Sequence, residues 1–304
     1  MFRKLTRPIS ASAKREERIF YLFILPWLIG LVVFNAGPVF GMLGLSFTDW
    51  RISLDNLQFV GLENYQKLFA DPIFRISVGN TLYIVVGRVV FGTAFALLLA
   101  ILLNQKVPGI PFFRAVYYLP TVTAGVAVAL VWIWIFNPRL GILNYTLKQI
   151  GIQGPPWIFS KQWVKPSLIL MSMFSVGPNM IILLAGLQGV PKELYESAEI
   201  DGAGNWAKFR NVTLPMLSPV LFFVIIISVV SSFQNFTEIR VMTEGGPGES
   251  SNVMIWYLWE NAFIFLQLGV AAAVAWIMFV ILMALTGLQF RLGRRWVYYE
   301  ADGQ

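Results

Sequence analysis

The chain has no cysteine and no histidine among its 304 residues. Without cysteine there is no disulfide, no thiolate metal site and no thiol nucleophile. Without histidine the chain loses the commonest general base and the commonest metal ligand. Charge is scarce too. Only 13% of the residues are Asp, Glu, Lys or Arg, while 57% are hydrophobic and the mean hydropathy is +0.67. A soluble domain carries roughly 25% charged and 45–50% apolar residues. The surplus apolar surface needs a solvent other than water, and a lipid bilayer supplies it. A net charge of +7 would suit nucleic acid in another setting. Here the basic residues flank apolar segments, as the positive-inside rule describes, so lipid is the expected partner and nucleic acid is not.

What the chain does have is long apolar runs. About 20 apolar residues in a helix cross the hydrocarbon core, and six stretches qualify: 19–47, 82–103, 115–136, 167–190, 214–237 and 268–290. They are continuous rather than alternating, which predicts helices and not barrel strands. The expected fold class is therefore an all-α membrane protein with six transmembrane helices. The first run is too long for a signal-peptide core, and no small-x-small cleavage site follows it, so it reads as a retained span. Only the second run contains a formal charge, Arg88. A charge at membrane depth is a candidate for function, for pairing with a partner subunit or for a helix interface. The sequence assigns it no role.

Lys and Arg in the connecting segments set the orientation. One side carries Arg3, Lys4, Arg7, Lys14, Arg15, Arg18, Lys106, Arg114, Lys192, Lys208, Arg210, Arg291, Arg294 and Arg295. The other carries Arg51, Lys67, Arg75, Arg139, Lys148, Lys161, Lys165 and Arg240. This bias predicts a multi-pass membrane protein with both termini cytoplasmic. The expected organisation is a tail over 1–18, a membrane domain over 19–290 and a tail over 291–304. The outer segments 49–78, 137–165 and 241–267 contain aromatic residues and Gly-Pro turns and read as ordered. Within the last of them, 253–265 is expected to lie as an interfacial helix.

The most informative segment is the cytoplasmic connection 190–213. Pro191 suits the first position of a helix, and 191–200 reads as a short helix with Glu193 and Glu196. Asp201-Gly202 marks a break. Residues 203–211 read as a second short helix, and Leu214-Pro215 starts the next span. Small Ala198, Gly202 and Ala203 would let another protein approach, and Glu196 offers it a charge.

Glu196, Ala198, Gly202, Val212 and Leu214-Pro215 resemble the "EAA" loop of permease subunits of binding-protein-dependent ABC importers. Ser197 and Val212 depart from that pattern conservatively. The resemblance extends over nearly the whole chain and is closest to the maltose and glycerol-phosphate type of the carbohydrate-uptake branch. It is carried by Ser46-Phe-Thr-Asp-Trp50, Gly61-Leu-Glu-Asn-Tyr65, Asn80-Thr81, Arg114 with Leu119-Pro120, Trp132 with Phe136-Asn137-Pro138, and Thr243-Glu-Gly-Gly-Pro247. Phe174 stands where these permeases commonly carry Trp. The resemblance implies a non-catalytic subunit of a type I importer with no cofactor of its own. A second permease subunit would pair with it, and an extracytoplasmic sugar-binding protein would deliver the solute. Two ATPase subunits, holding ATP and Mg, would dock on the loop through Glu196, Ala198, Asp201, Gly202 and Ala203. The chain has no G-x-x-x-x-G-K-[ST] phosphate loop, so ATP hydrolysis falls to a partner.

Sugars are held by hydrogen bonds plus apolar faces, so polar residues inside spans are the candidates for the pathway. Ser228, Ser232 and Asn235 fall on one face of the fifth span, with Ser231 and Gln234 nearby. Gly177-Pro178-Asn179 predicts a kink with an amide beside it in the fourth, and kinks are tolerated where they line a cavity. In maltose-type permeases the equivalent parts of these two helices contact the sugar. The same residues also fit helix packing, because Ser and Asn join membrane helices, and both readings stand at this point. A permease for a non-sugar solute is the alternative within the class. An ion-coupled secondary transporter would want carboxylates within its spans, and the six runs contain none. No catalytic residue and no metal ligand is expected.

Overall fold

The computed structural model describes residues 11–51 and 57–298, and all of its regular structure is helical apart from one isolated bridge between Thr48 and Phe59. The basic residues Arg3, Lys4 and Arg7 and the last residues of the C-terminal tail lie outside the described residues. Four helical stretches are long and apolar enough to cross a membrane: Arg15–Ser46, Pro72–Leu103, Asn205–Phe233 and Leu268–Gly293. Two bent helix pairs raise the number to six if each pair is one span.

The first stretch is α1 (Ala11–Leu31), a π turn at Val32–Ala36 and α2 (Gly37–Ser46). No residue of its apolar window is fully buried within the chain. It ends where Ser46 and Thr48 are captured by α3 (Glu63–Ala70). Asn64 donates to Ser46 O and Thr48 O, both at 2.9 Å, and Ser46 Oγ lies 2.7 Å from Tyr65 Oη. The two outer motifs that carry the family resemblance at this end are thus a hydrogen-bonded corner.

Asp71 caps α4 (Pro72–Leu103), its carboxylate accepting from Ile73 N at 2.7 Å, with Pro72 in the first turn where no N–H is needed. The helix starts ten residues before the predicted span, because its first three turns pack under α14 (Met254–Trp259) instead of facing solvent. Asn80 Nδ2 donates to Glu249 O and Asn252 O, and Thr81 Oγ1 accepts from Met254 N at 2.9 Å. These bonds draw 253–265 inward. Val253, Met254, Trp256 and Tyr257 are buried, so the first half of the expected interfacial helix is interior, while Phe263, Ile264 and Phe265, at and just past the π turn at Glu260–Ile264, are exposed.

The third expected span is not continuous. α5 (Ile110–Val122) and α6 (Gly125–Ile135) meet at 103°. Pro120 removes one helical N–H, and Thr123 and Ala124 take extended conformations at the corner. Thr123 satisfies carbonyls left over, its N–H reaching Pro120 O and its hydroxyl Leu119 O. Beyond α6 lies the short outer α7 (Ile142–Gln149). α8 (Val164–Ser172) continues through a tight turn at Met173–Ser175 and is followed by α9 (Gly177–Gln188), bent by 52°. This is the kink expected at Gly177-Pro178. A Cβ on Gly177 would sit 2.6 Å from Tyr117 O, so α5 and α9 approach through a position only glycine fits.

After α10 (Lys192–Ile200), the piece α11 (Asn205–Lys208) runs through a π turn at Phe209–Thr213 into α12 (Leu214–Phe233). The expected restart at Leu214-Pro215 is absent. Leu214 N–H reaches back to Phe209 O, and this wider turn carries the helix past Pro215, which has no N–H to give. α13 (Thr237–Met242) follows a short break, and α15 (Leu268–Gly293) closes the domain. The body is α4, α9 and α12 packed on one another through Ala96, Ala100, Met180, Leu183, Leu217 and Val224. Small residues on α4 let the backbones come close, as membrane packing favours.

Candidate translocation cavity and coupling turn

A cavity of about 270 Å³ opens between these three helices. α4 gives it Arg88 and Gly92. The broken fourth span gives Ser172, Ser175, Val176 and Asn179. α12 and the break after it give Ser228, Ser231, Ser232 and Asn235, and α13 gives Glu238. All four residues proposed from sequence for the pathway therefore line one space. The helical period along α12 puts Ser228 and Ser232 on one face, whereas α12 ends at Phe233 and Asn235 lines the cavity from the break beyond it, not from the expected helical face. The kink at Val176–Gly177 turns Asn179 towards them. Asn179 Nδ2 donates to Ser228 Oγ at 3.0 Å, so part of this set does join two helices. Ser172 and Ser231 return their hydroxyl protons to backbone oxygens of their own segments, Ile169 O and Ser228 O. The side chains of Ser175, Ser232 and Asn235 have no hydrogen-bond partner among the described residues.

Arg88 gains a partner that the sequence did not assign. Its Nη2 donates to both carboxylate oxygens of Glu238 at 2.9 Å, and the two side chains are only 13% and 17% exposed. Glu238 sits one residue past the fifth apolar run, which is why a search for charges within the runs missed it. The signal available was a lone cation inside the second run and a lone carboxylate at the edge of the fifth. A half-buried charge at this depth is tolerated when paired, and removing one partner strands the other.

The turn between α9 and α12 is built in the opposite way. Asp201 ends α10, and Gly202 takes φ +76°. Gly202 N–H bonds Glu199 O and Ala203 N–H bonds Ala198 O at 2.8 Å, the paired closure of a helix that ends on a left-handed glycine. Lys208 Nζ to Glu199 at 2.7 Å and Tyr195 Oη to Thr213 at 3.0 Å fasten the short helix to the base of α12. Glu196, Asp201 and Gly202 are exposed, and Ala198 and Ala203 are half-buried. Ile200 is 87% exposed and Trp206 72%, so the turn presents an apolar as well as an acidic surface.

Outside the spans, Tyr257 donates to Asp71 at 2.6 Å. Burial and that carboxylate push the Tyr257 hydroxyl well above its usual range. Burial, then the nearby Glu249, raise the Glu260 carboxyl.

A helical membrane domain with a polar cavity among its apolar helices and a hydrogen-bonded, exposed turn at one end defines a membrane transport protein. The chain belongs to the family of binding-protein-dependent transport system inner membrane components, whose pattern matches residues 92–298. It is 34% identical over 297 residues to the probable ABC transporter permease protein YesP of Bacillus subtilis, covering 96% of each chain. It is 31% identical to the sn-glycerol-3-phosphate transport system permease protein UgpA of Agrobacterium fabrum, covering 92% of this chain and 96% of that one. A crystal structure of a bacterial ABC transporter that imports the acidic polysaccharide alginate contains a chain of the same fold, with a TM-score of 0.81 at 22% identity over 93% of this chain and 98% of that one.

Proposed function

We propose that this chain forms one half of the translocation pathway of an ATP-driven importer of sugars or small sugar-like solutes such as glycerol phosphates. The observation that carries the reading is the cavity at Asn179, Ser228, Ser232 and Asn235, a polar space enclosed by helices that are otherwise apolar. A polar row at this depth is costly unless water or a solute satisfies it. Solute hydroxyls exchange with water in such a row at little cost in hydrogen bonding, so passage does not become trapping. Relatives named for glycerol 3-phosphate and for sulfoquinovosyl glycerol, at 31% and 32% identity, support the solute class. The hydrogen-bonded 190–213 turn is the seat of the ATPase, with Glu196, Ala198, Asp201, Gly202 and Ala203 at the contact. ATP and Mg belong to that partner, and an extracytoplasmic binding protein feeds the open side. A second permease subunit completes the cavity. Both termini face the cytoplasm. Closure of the ATPases on nucleotide then biases the helices between two states.

The test is reconstitution of the chain with its companion subunits in liposomes. Sugar-loaded binding protein should stimulate ATP hydrolysis and drive uptake. Uptake that follows an ion gradient and ignores ATP would overturn the reading, and stimulation by a non-sugar solute alone would keep the importer and replace the solute class.

A further inference from the structure

We propose that the Arg88–Glu238 pair makes the cavity electrically neutral and so sets this half of the pathway for uncharged, hydroxyl-bearing solutes over anionic ones. The proposal rests on the pathway reading above and narrows its solute class to uncharged sugars, which sets this chain apart from the relatives named for glycerol 3-phosphate and sulfoquinovosyl glycerol, whose solutes are anionic.

Among the described residues, Arg88 is the only cationic side chain lining the cavity and Glu238 the only anionic one. One guanidinium nitrogen holds both carboxylate oxygens at 2.9 Å, a charge-assisted contact in a site largely shielded from water. A phosphate, sulfonate or carboxylate entering here would need an unpaired cation. It could have Arg88 only by prising it from Glu238 and leaving that carboxylate stranded. A cationic solute meets the mirror-image obstacle. What remains open is neutral: Ser175, Ser232 and Asn235 have no hydrogen-bond partner among the described residues. Two hydroxyls and one amide offer donors and acceptors together, which matches a sugar hydroxyl, itself both donor and acceptor. The pair also ties α4 to the segment beyond the break in the fifth span, so its neutrality belongs to the same construction that opens the cavity.

The absence of native cysteine makes the charge of the cavity measurable. Ser232→Cys and Asn235→Cys are introduced separately into the full transporter, assembled with cysteine-free companion subunits. Each is labelled with anionic sulfonatoethyl and cationic trimethylammonioethyl methanethiosulfonate. The ratio of the two rates is normalised to that of a free small thiol. With the pair intact, the normalised ratio should lie within about threefold of unity, the small bias left when opposite charges cancel. Glu238→Gln should shift it at least about tenfold towards the anionic reagent, and Arg88→Gln should shift it similarly towards the cationic one, the effect of one uncompensated charge nearby. Combining both substitutions should restore the starting ratio, which separates charge from misfolding. A tenfold bias with the pair intact, or no shift on Glu238→Gln, overturns the neutrality proposal and leaves the pathway standing. Failure of either cysteine to react with either reagent in every nucleotide state removes the pathway reading itself, and the proposal with it.

Discussion

The cavity and the turn between α9 and α12 both interrupt an apolar chain with polar residues, and they are secured differently. The cavity draws on three helices far apart in sequence, and its charges are settled internally: Arg88 meets Glu238 across 150 positions. The turn is capped at Gly202 by bonds spanning at most five positions and braced by the Lys208–Glu199 and Tyr195–Thr213 contacts, and its acidic groups Glu196 and Asp201 are left exposed. One region is complete in its charges, and the other presents charge and apolar surface outward. On the proposed reading, that difference separates a surface for a solute from a surface for a protein, and substitutions should respect it.

The largest effect should come from the turn. Gly202→Asp should leave the subunit folded and inserted but lower uptake to about 1% or less, as expected when a side chain is placed into a close docking surface. Nothing lies within 4 Å of a Cβ built at Gly202. The chain itself therefore has room, and the remaining internal cost is the left-handed backbone, about 1 kcal/mol for a non-glycine residue. Uptake at the unaltered rate, measured beside normal membrane abundance, would argue that the turn touches no partner.

Breaking the ion pair should be the next largest and should act on the fold. Arg88→Met leaves Glu238 charged and half-buried, and a lone partner of a buried pair costs about 3–5 kcal/mol. The double change Arg88→Met with Glu238→Gln should recover most of this. Thermal unfolding of the four variants in detergent gives the coupling directly, and additive losses would show that the pair is too solvated to matter.

A milder effect is expected within the cavity. Asn235→Ala should lower uptake a few-fold while ATPase assembly persists, because one donor-acceptor group among several is lost, on the order of 1 kcal/mol. Asn235→Leu should be worse, since it adds bulk without polarity. Equal uptake by all three proteins would assign Asn235 to packing.

These regions also differ in how far the sequence displays them. The turn is local, and its helix, its break and its glycine are legible from Pro191, Asp201 and Gly202 alone. The proposed pathway face is legible in part, because a helical period puts Ser228 and Ser232 together on α12, while Asn235 reaches the same cavity from the break after the helix. The partner of Arg88 is not, since it depends on how α4 meets the end of α12, and Glu238 falls just past the apolar run. Pro120 and Pro215 show why local rules stop short. The first ends a helix at a 103° corner, and the second is absorbed by a π turn in an unbroken one. Surrounding packing decides between those outcomes. Likewise the aromatic run at 253–265 has an interfacial composition, yet Asn80 and Thr81 pull its start into the interior.

The smallest expected effect lies near that interior helix, and it reports whether the half-buried carboxylates there are settled as the pair in the cavity is. Glu260 has its pKa raised, first by burial and then by Glu249, with Trp256 and Asn252 opposing the shift through hydrogen bonds. A carboxyl whose folded pKa lies above its unfolded value binds protons more tightly in the folded state. Its contribution to stability is thus greatest at low pH and is lost as pH rises through the folded pKa. At neutral pH the ionised form is the unfavourable one. Glu260→Gln keeps the shape and a hydrogen-bonding group and removes the charge, so it should raise the unfolding temperature slightly at pH 7 to 8. The gain should shrink as pH falls towards the carboxylate range, where the native residue is itself protonated. A Tm difference that is constant with pH would mean that packing, and not ionisation, separates the two proteins. A loss of Tm at neutral pH would show that the carboxylate is satisfied after all, and the outer end of α4 would then resemble the cavity, with every charge answered from within the chain.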